Sequence, residues 1–402
     1  MSNIITNNND TTSTGQHPSA VAPIDSTEKK SVDEHSTPID EESNQPSKKR
    51  RMFSYFTTKH FWIIFFMGQI LSLCITSTNT LTTYLSEGGN SMPAFQSLFN
   101  YVLLLLIFMP YTIYKTGFKA YLRLMLKEGW KYFILSFLDV QGNYFIVKAY
   151  QYTNMLSAAL LDNLSVVWVV ILSFFLLKVR YHWTQLLGIV VCIAGVVLII
   201  VSDLLMGKDY HATDPVKGDL FVILATFCYG SSNTLEEFLT SKRPYYEVLS
   251  SLGFFGTIII GVQAAIFERA SIRDAEWSPA VGGYFTGYTL SLLVLYLIAP
   301  IMFRMSSSAF YNLSLLTSDF WALLIGTQAF GFRVYWLYPV GFVFTIIGVI
   351  IYFLVQGNPL GESVKPWLGE NQEEGVSGIG TAKKSQQKQG TVTTTEVQTG
   401  NF

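Results

Sequence analysis

Charge is scarce in this sequence. Aspartate, glutamate, lysine and arginine make up 14% of its 402 residues, against about a quarter in an ordinary soluble domain. The net charge of −1 is too small to suggest nucleic-acid binding. Cysteine is rarer still. Cys74, Cys192 and Cys228 all lie in apolar stretches, which excludes a disulfide framework and zinc-type spacing. His17, His35, His60, His182 and His211 fall in tails, loops or the edge of an apolar run, so neither a metal nor a cofactor is assigned. The apolar runs hold no HExxH, no GxGD pair and no Ser–His couple, and no GxxxxGK[ST] loop occurs. Hydrolysis within a membrane and ATP-driven pumping are thereby disfavoured, and the chain reads as a non-enzyme.

What the chain has is grease. Half of its residues are hydrophobic, gathered into runs of the roughly 20 residues that a membrane span needs. Ten such runs are expected to be helices: 61–85, 93–114, 130–152, 156–177, 185–204, 218–239, 247–267, 279–303, 306–330 and 335–356. Lipid offers the backbone no hydrogen bonds, so spans of this length must be helical. The polar segments 1–60 and 357–402 cannot bury a core and are expected to be disordered tails. Lysine and arginine cluster at 48–51, 115–131, 178–180, 242–243 and 304, and thin out to Lys208, Lys217, Arg269, Arg273 and Arg333 on the other side. That asymmetry predicts both termini in the cytosol.

The runs repeat. STNTLTTYL at 77–85 matches SSNTLEEFL at 231–239, and Ser165, Trp168, Arg180, Trp183, Gly188 and Gly195 match Ser318, Trp321, Arg333, Trp336, Gly341 and Gly348. The two offsets differ by one residue. The halves are therefore read as 61–204 and 205–356, five spans each. Five is odd, so the second half enters the membrane from the opposite side. Inverted repeats of this kind characterise secondary transporters, with cargo held near the midplane between the halves.

DVQGNYFIVKAYQYTN (139–154), LLDN (160–163), YGSSNTLEE (229–237), LGFFGTIIIGVQ (252–263) and AFYNLSLLTSDF (309–320) resemble the F branch of solute carrier family 35, within the drug/metabolite transporter superfamily. The resemblance covers about residues 60–356. It implies the drug/metabolite transporter fold: an all-α membrane protein of ten transmembrane helices as two inverted five-helix repeats around a central cavity.

Ionisable groups inside apolar runs need a reason, because one near a bilayer centre costs roughly 2.5–3.5 kcal/mol on insertion scales. Asp139 and Lys148 are nine residues apart, on opposite helix faces and about 13 Å apart along the axis. Lys148 and Asp162 flank one tight hairpin at similar depth, so they are expected to pair, with snorkelling of Lys148 to the interface as the alternative. Tyr144, Gln151 and Tyr152 share the Lys148 face as cargo ligands, and Asn143 joins Asp139 on the other. Glu236 or Glu237 is expected to pair with Arg304 at the cytosolic mouth. Asp319, beside Thr317, is the candidate carrier of a coupling proton, with Glu236 or Glu237 as the alternative. Asn79, Asn233 and Asn312 are read equally as cargo contacts or helix bridges. Gly188, Gly195, Gly341 and Gly348 suit either packing within the bundle or a homodimer face.

These expectations describe a multi-pass carrier with both termini cytosolic, surrounded by a lipid bilayer. It would move a small-molecule cargo, a polar organic solute of nucleoside-, nucleobase- or nucleotide-like type, by alternating access. The Lys148–Asp162 and Arg304–glutamate pairs would close opposite mouths. The alternative, a non-transporting membrane sensor or scaffold, would call for a large folded soluble domain.

Overall fold

Every regular element among the described residues is helical. The computed structural model describes residues 59–153, 158, 161–205, 214–329, 336–354, 365–368 and 376, all within the compact unit Ser47–Phe402. Most of both expected tails, and Lys208 and Arg333, lie outside the described residues. In chain order the helices are α1 (Lys59–Glu87), α2 (Pro93–Thr116), α3 (Phe118–Ala149), α4 (Leu164–Phe175), α5 (Trp183–Leu205), α6 (Pro215–Lys242), α7 (Tyr245–Phe267), α8 (Arg269–Asp274), α9 (Pro279–Met305), α10 (Ser308–Leu315), α11 (Ser318–Ala329) and α12 (Leu337–Leu354). A 3₁₀ turn follows at Pro366–Leu368.

Local chemistry sets the boundaries. Gly89, at φ +71°, turns the chain between α1 and α2, and Pro93 opens α2, where a missing N–H costs nothing. Gly117, at φ +84°, separates α2 from α3 without a loop. Side-chain oxygens of Asp214, Ser278 and Ser307 cap α6, α9 and α10 by accepting from the amides of Lys217, Val281 and Phe310, each at 3.2 Å. The threonine-rich stretch of α1 stays helical inside an apolar run because its hydroxyls bond backward. Thr76, Thr80, Thr82 and Thr83 donate to the carbonyls of Ser72, Thr76, Thr78 and Asn79 at 2.7–2.9 Å.

Three boundaries differ from expectation, one of them within the expected span 156–177, which turns at Asn163 before α4 begins at Leu164. The third helix begins at Phe118, not near 130. Its first turns carry Lys119, Arg123, Lys127 and Glu128, so a search for apolar runs misses them. The expected span 306–330 divides at Leu316–Thr317. There the Thr317 hydroxyl donates to Ser314 O at 2.7 Å and lies 2.6 Å from the Ser72 hydroxyl of α1, which donates to Ser314 O at 2.9 Å.

Four helices are long and apolar enough to cross a membrane by length and composition: Trp62–Glu87, Pro93–Thr116, Tyr245–Phe267 and Pro279–Met305. Leu164–Phe175, Trp183–Gly195 and Pro339–Tyr352 are shorter apolar helices. Among the described residues many large apolar side chains are exposed and many polar ones are buried among the hydrophobic core. Leu126 (80%), Trp183 (81%) and Trp336 (66%) are exposed, whereas Gln96, Asn100, Asp139, Asn143, Glu236 and Glu237 are buried. Water would penalise such a surface, and a bilayer accepts it.

Helix pairing builds the frame. α5 lies along α12, α2 along α7, α3 along α6 and α7, and α1 along α9. The four matched glycines are spent inside the chain. A Cβ at Gly188 would stand 2.7 Å from Gly348 O, and one at Gly195 would stand 2.6 Å from Gly341 O. Two ends result. At the near end α1 begins and α6 and α9 finish. At the far end the Ser86 hydroxyl of α1 donates to Tyr150 O at 2.8 Å, just past α3.

Candidate functional site

A central cavity of about 60 Å³ lies among α1, α3, α4, α6, α9 and α10. Its polar lining comes from Asp139 and Asn143 on α3, Asp162 and Ser165 at the start of α4, and Tyr229, Asn233 and Glu236 on α6. Tyr296 of α9 and Tyr311 and Asn312 of α10 complete that lining. Leu292, Leu295, Ala299, Ile75 and Leu315 supply the apolar wall. The volume is below the roughly 300–1,000 Å³ of a ligand pocket.

Asp139 and Asn143 are one helical turn apart and anchor a closed network. Tyr101 and Tyr296 both donate to Asp139 Oδ2, at 2.7 and 2.5 Å. Asn143 Nδ2 donates to the same two phenol oxygens, each at 2.7 Å, and Asn143 Oδ1 accepts from Tyr229 at 3.0 Å. Four helices meet on these two side chains, so the pair fixes α2, α3, α6 and α9 relative to one another.

Asp162 and Glu236 are different. Asp162 Oδ1 and Glu236 Oε1 are buried without a hydrogen-bond partner, and Glu236 is only 5% exposed. With Asp139 they make three carboxyl groups around one cavity, and among the described residues no lysine, arginine or histidine lines it. An unpaired buried carboxylate is costly. The site is therefore disposed toward a positive charge and against an anion. Asn233 Nδ2 donates to Asn312 Oδ1 at 3.4 Å, a weak bond, while Asn312 Nδ2 is held by Ser308 O at 2.8 Å.

Neither expected ion pair forms. Lys148 Nζ stands 5.9 Å from the Tyr152 ring, away from Asp162. The carboxylate its charge acts on is Glu268, a residue that went unnoticed in the sequence. Glu268 accepts from the amides of Ala94 and Phe95, both at 2.8 Å, at the start of α2. Burial pushes its carboxyl above the ordinary value, and the two amides and Lys148 oppose that shift. Depth along two helices had implied the Lys148–Asp162 pair, but depth says nothing of direction around the axes. Arg304 likewise pairs with neither glutamate. Its Nε and Nη2 are buried without partners, and Glu237 is bound by Lys365 at 2.6 Å and by the amide and hydroxyl of Ser308 at 2.9 and 2.6 Å.

Other candidates lie outside the cavity. Asn163 Nδ2 donates to Asp319 Oδ2 at 2.8 Å, which bridges α11 to the start of α4. Thr317 accepts from Gln69 Nε2 at 3.2 Å. Gln151 Nε2 donates to Ser91 Oγ at 2.8 Å at the far end. Tyr144 packs on Phe145, and Tyr152 packs on Phe221 beneath Lys217 Nζ, 4.2 Å from its ring centre. Asn79 is half-buried on α1. The tyrosines of the lining were not singled out from sequence. Tyr229 and Tyr311 nonetheless stand within stretches that carry the family resemblance, and that was their available signal.

A family model for solute carrier family 35 matches residues 57–354. An uncharacterized solute carrier family 35 member of Schizosaccharomyces pombe is 50% identical over 347 residues, 86% of this chain and 68% of that protein. Solute carrier family 35 member F2 of Mus musculus is 33% identical over 317 residues, 78% of this chain and 84% of that one. A solved crystal structure superposes with a TM-score of 0.57 at 13% identity, covering 74% of this chain and 99% of the other, a likeness of fold alone. The chain belongs to solute carrier family 35, in its F branch, a family of membrane-embedded solute transporters.

Proposed function

We propose that this protein is a secondary transporter that moves a polar organic solute, nucleoside- or nucleobase-like and neutral or positively charged, by alternating access around the central cavity. The observation that carries the reading is the lining of three carboxyl groups, three tyrosines and three amides, with no basic side chain among the described residues. Phenol and amide groups suit the hydrogen-bonding edges and ring faces of a heterocycle. A nucleotide sugar or other phosphate ester would meet Asp139, Asp162 and Glu236 as like charges.

Two inverted five-helix halves with both termini cytosolic complete the proposal. The packing supports them. Exchanging the halves maps α3 against α6 onto α9 against α1, and α3 against α7 onto α9 against α2, and each of these contacts is present. A coupling proton is a second reading, favoured by the unpartnered oxygens of Asp162 and Glu236; it moves the proton-carrying role from Asp319 to the cavity itself. Uptake into proteoliposomes tests both readings. Cationic and neutral nucleosides and nucleobases are expected to compete for one saturable site. Dependence of uptake on an imposed pH gradient, abolished by Asp162→Asn or Glu236→Gln, would establish proton coupling. Competition by nucleotide sugars alone would reject the cargo class.

A further inference from the structure

Past α12 the chain returns to the bundle. Lys365 and Leu368 are each 4% exposed, although 357–402 is polar overall and was expected to stay unfolded. All three ammonium donors of Lys365 are used: Nζ donates to Glu237 Oε1 at 2.6 Å, to Phe303 O at 2.9 Å and to Ser306 O at 3.0 Å. The acceptors belong to the last turns of α6 and to the end of α9. Glu237 Oε2 accepts from the amide and hydroxyl of Ser308, at the start of α10. A cation therefore sits at one helix C-terminus and an anion at the next N-terminus, each favoured by the local dipole. Trp367 adds a second anchor on α6. Its Nε1 donates to Ser241 Oγ at 2.7 Å, and its ring centre lies 6.2 Å from that of Phe238. Val376 N donates to Ser241 O at 3.2 Å.

This clamp adjoins the cavity. Glu236, next to Glu237, lines it. Asn312, which also lines it, donates to Ser308 O at 2.8 Å. Arg304 lies at the same end, 8% exposed, with two guanidinium nitrogens unpartnered. A single ammonium group spans Glu237 and the carbonyl of Phe303, the residue before Arg304. Lys365, not Arg304, is thus the counter-ion of Glu237.

We propose that Lys365–Leu368 is a strap that holds the near end of the transport pathway shut, and that its release from Glu237 and the end of α9 opens the cavity toward that side. A segment either docked on α6 and α9 or released from them makes the bistable element that a gate requires. A factor that binds the C-terminal segment would then favour the open form through unequal affinity for the two states. The proposal rests on the transporter reading only in taking the cavity as the pathway.

The test needs no cargo. In the full chain, reconstituted in liposomes with Cys74, Cys192 and Cys228 replaced by alanine, Asn233→Cys reports access to the cavity through labelling by an impermeant maleimide. Lys365→Met with Glu237→Gln removes both charges and leaves no stranded ion. Trp367→Ala leaves the ion pair in place and decides the matter should the double variant fail to elute as the parent does. Near-side labelling is expected to rise about five-fold or more in each, the lower edge of ordinary coupling between sites. Unchanged near-side labelling in natively eluting Trp367→Ala protein, or a rise confined to the far side, would overturn the strap. Loss of uptake with labelling as expected would instead count against the transporter reading alone.

Discussion

At the scale of single residues, the three carboxyl groups of the cavity divide into two kinds. Asp139 is held by two phenols, so Asp139→Asn disturbs a buried network and is expected to cost about 1–3 kcal/mol of stability. Asp162 and Glu236 offer oxygens that nothing in the protein uses. Replacing a buried unpaired charge by its neutral isostere relieves desolvation, so Asp162→Asn and Glu236→Gln should melt at or above the parent temperature yet lose uptake. Thermal unfolding and uptake on the same preparations check this contrast. Loss of both properties together in all three variants would contradict it. Six cavity residues were legible in the sequence: Asp139, Asn143, Asp162, Asn233, Glu236 and Asn312. A polar side chain inside an apolar run announces itself by its cost. Tyr296 did not, because a tyrosine in an apolar run reads as core until the partner of its hydroxyl is seen. The pairing of charges was not legible either, since Glu268 and Lys365 reach their partners across elements far apart in the chain.

At the scale of elements, glycines let α5 lie hard against α12. A Cβ at Gly348 would stand 2.5 Å from Cys192 Sγ and 2.6 Å from Gly188 O. Backbone cannot retreat as a flexible side chain can, so Gly348→Ala and Gly188→Ala are each expected to cost about 1–3 kcal/mol, typical of overpacking. A lowered melting temperature with fewer monodisperse molecules is the readout. At Gly89 nothing stands within 4 Å of an added Cβ, but φ is +71°. Gly89→Ala is therefore expected to cost less, about 1–2 kcal/mol, from backbone conformation alone. At the far end, Glu268→Gln keeps one acceptor for the α2 amides but removes the charge that answers the helix dipole and Lys148. A loss of about 0.3–1 kcal/mol is expected by thermal unfolding. The element list itself was largely readable, because apolar runs, proline starts and glycine breaks are local signals. The early start of α3 and the break at Leu316–Thr317 were not. The first hides in charged turns, and the second depends on hydroxyl contacts with α1.

At the scale of the whole molecule, many large apolar side chains are exposed among the described residues, and several buried polar ones line one small cavity. The cavity of about 60 Å³ is smaller than the roughly 300–1,000 Å³ of an ordinary ligand pocket, and the proposed transport would have the helices around it part. The account stands most directly on uptake of a radiolabelled, amine-bearing nucleoside into proteoliposomes holding the full chain, measured beside Asp162→Asn and Glu236→Gln. It predicts saturable uptake that falls about ten-fold or more in each variant, equivalent to about 1.4 kcal/mol of lost binding, and that excess nucleotide sugar leaves unchanged. Undiminished uptake in both variants, or saturable uptake of the nucleotide sugar itself, would contradict it.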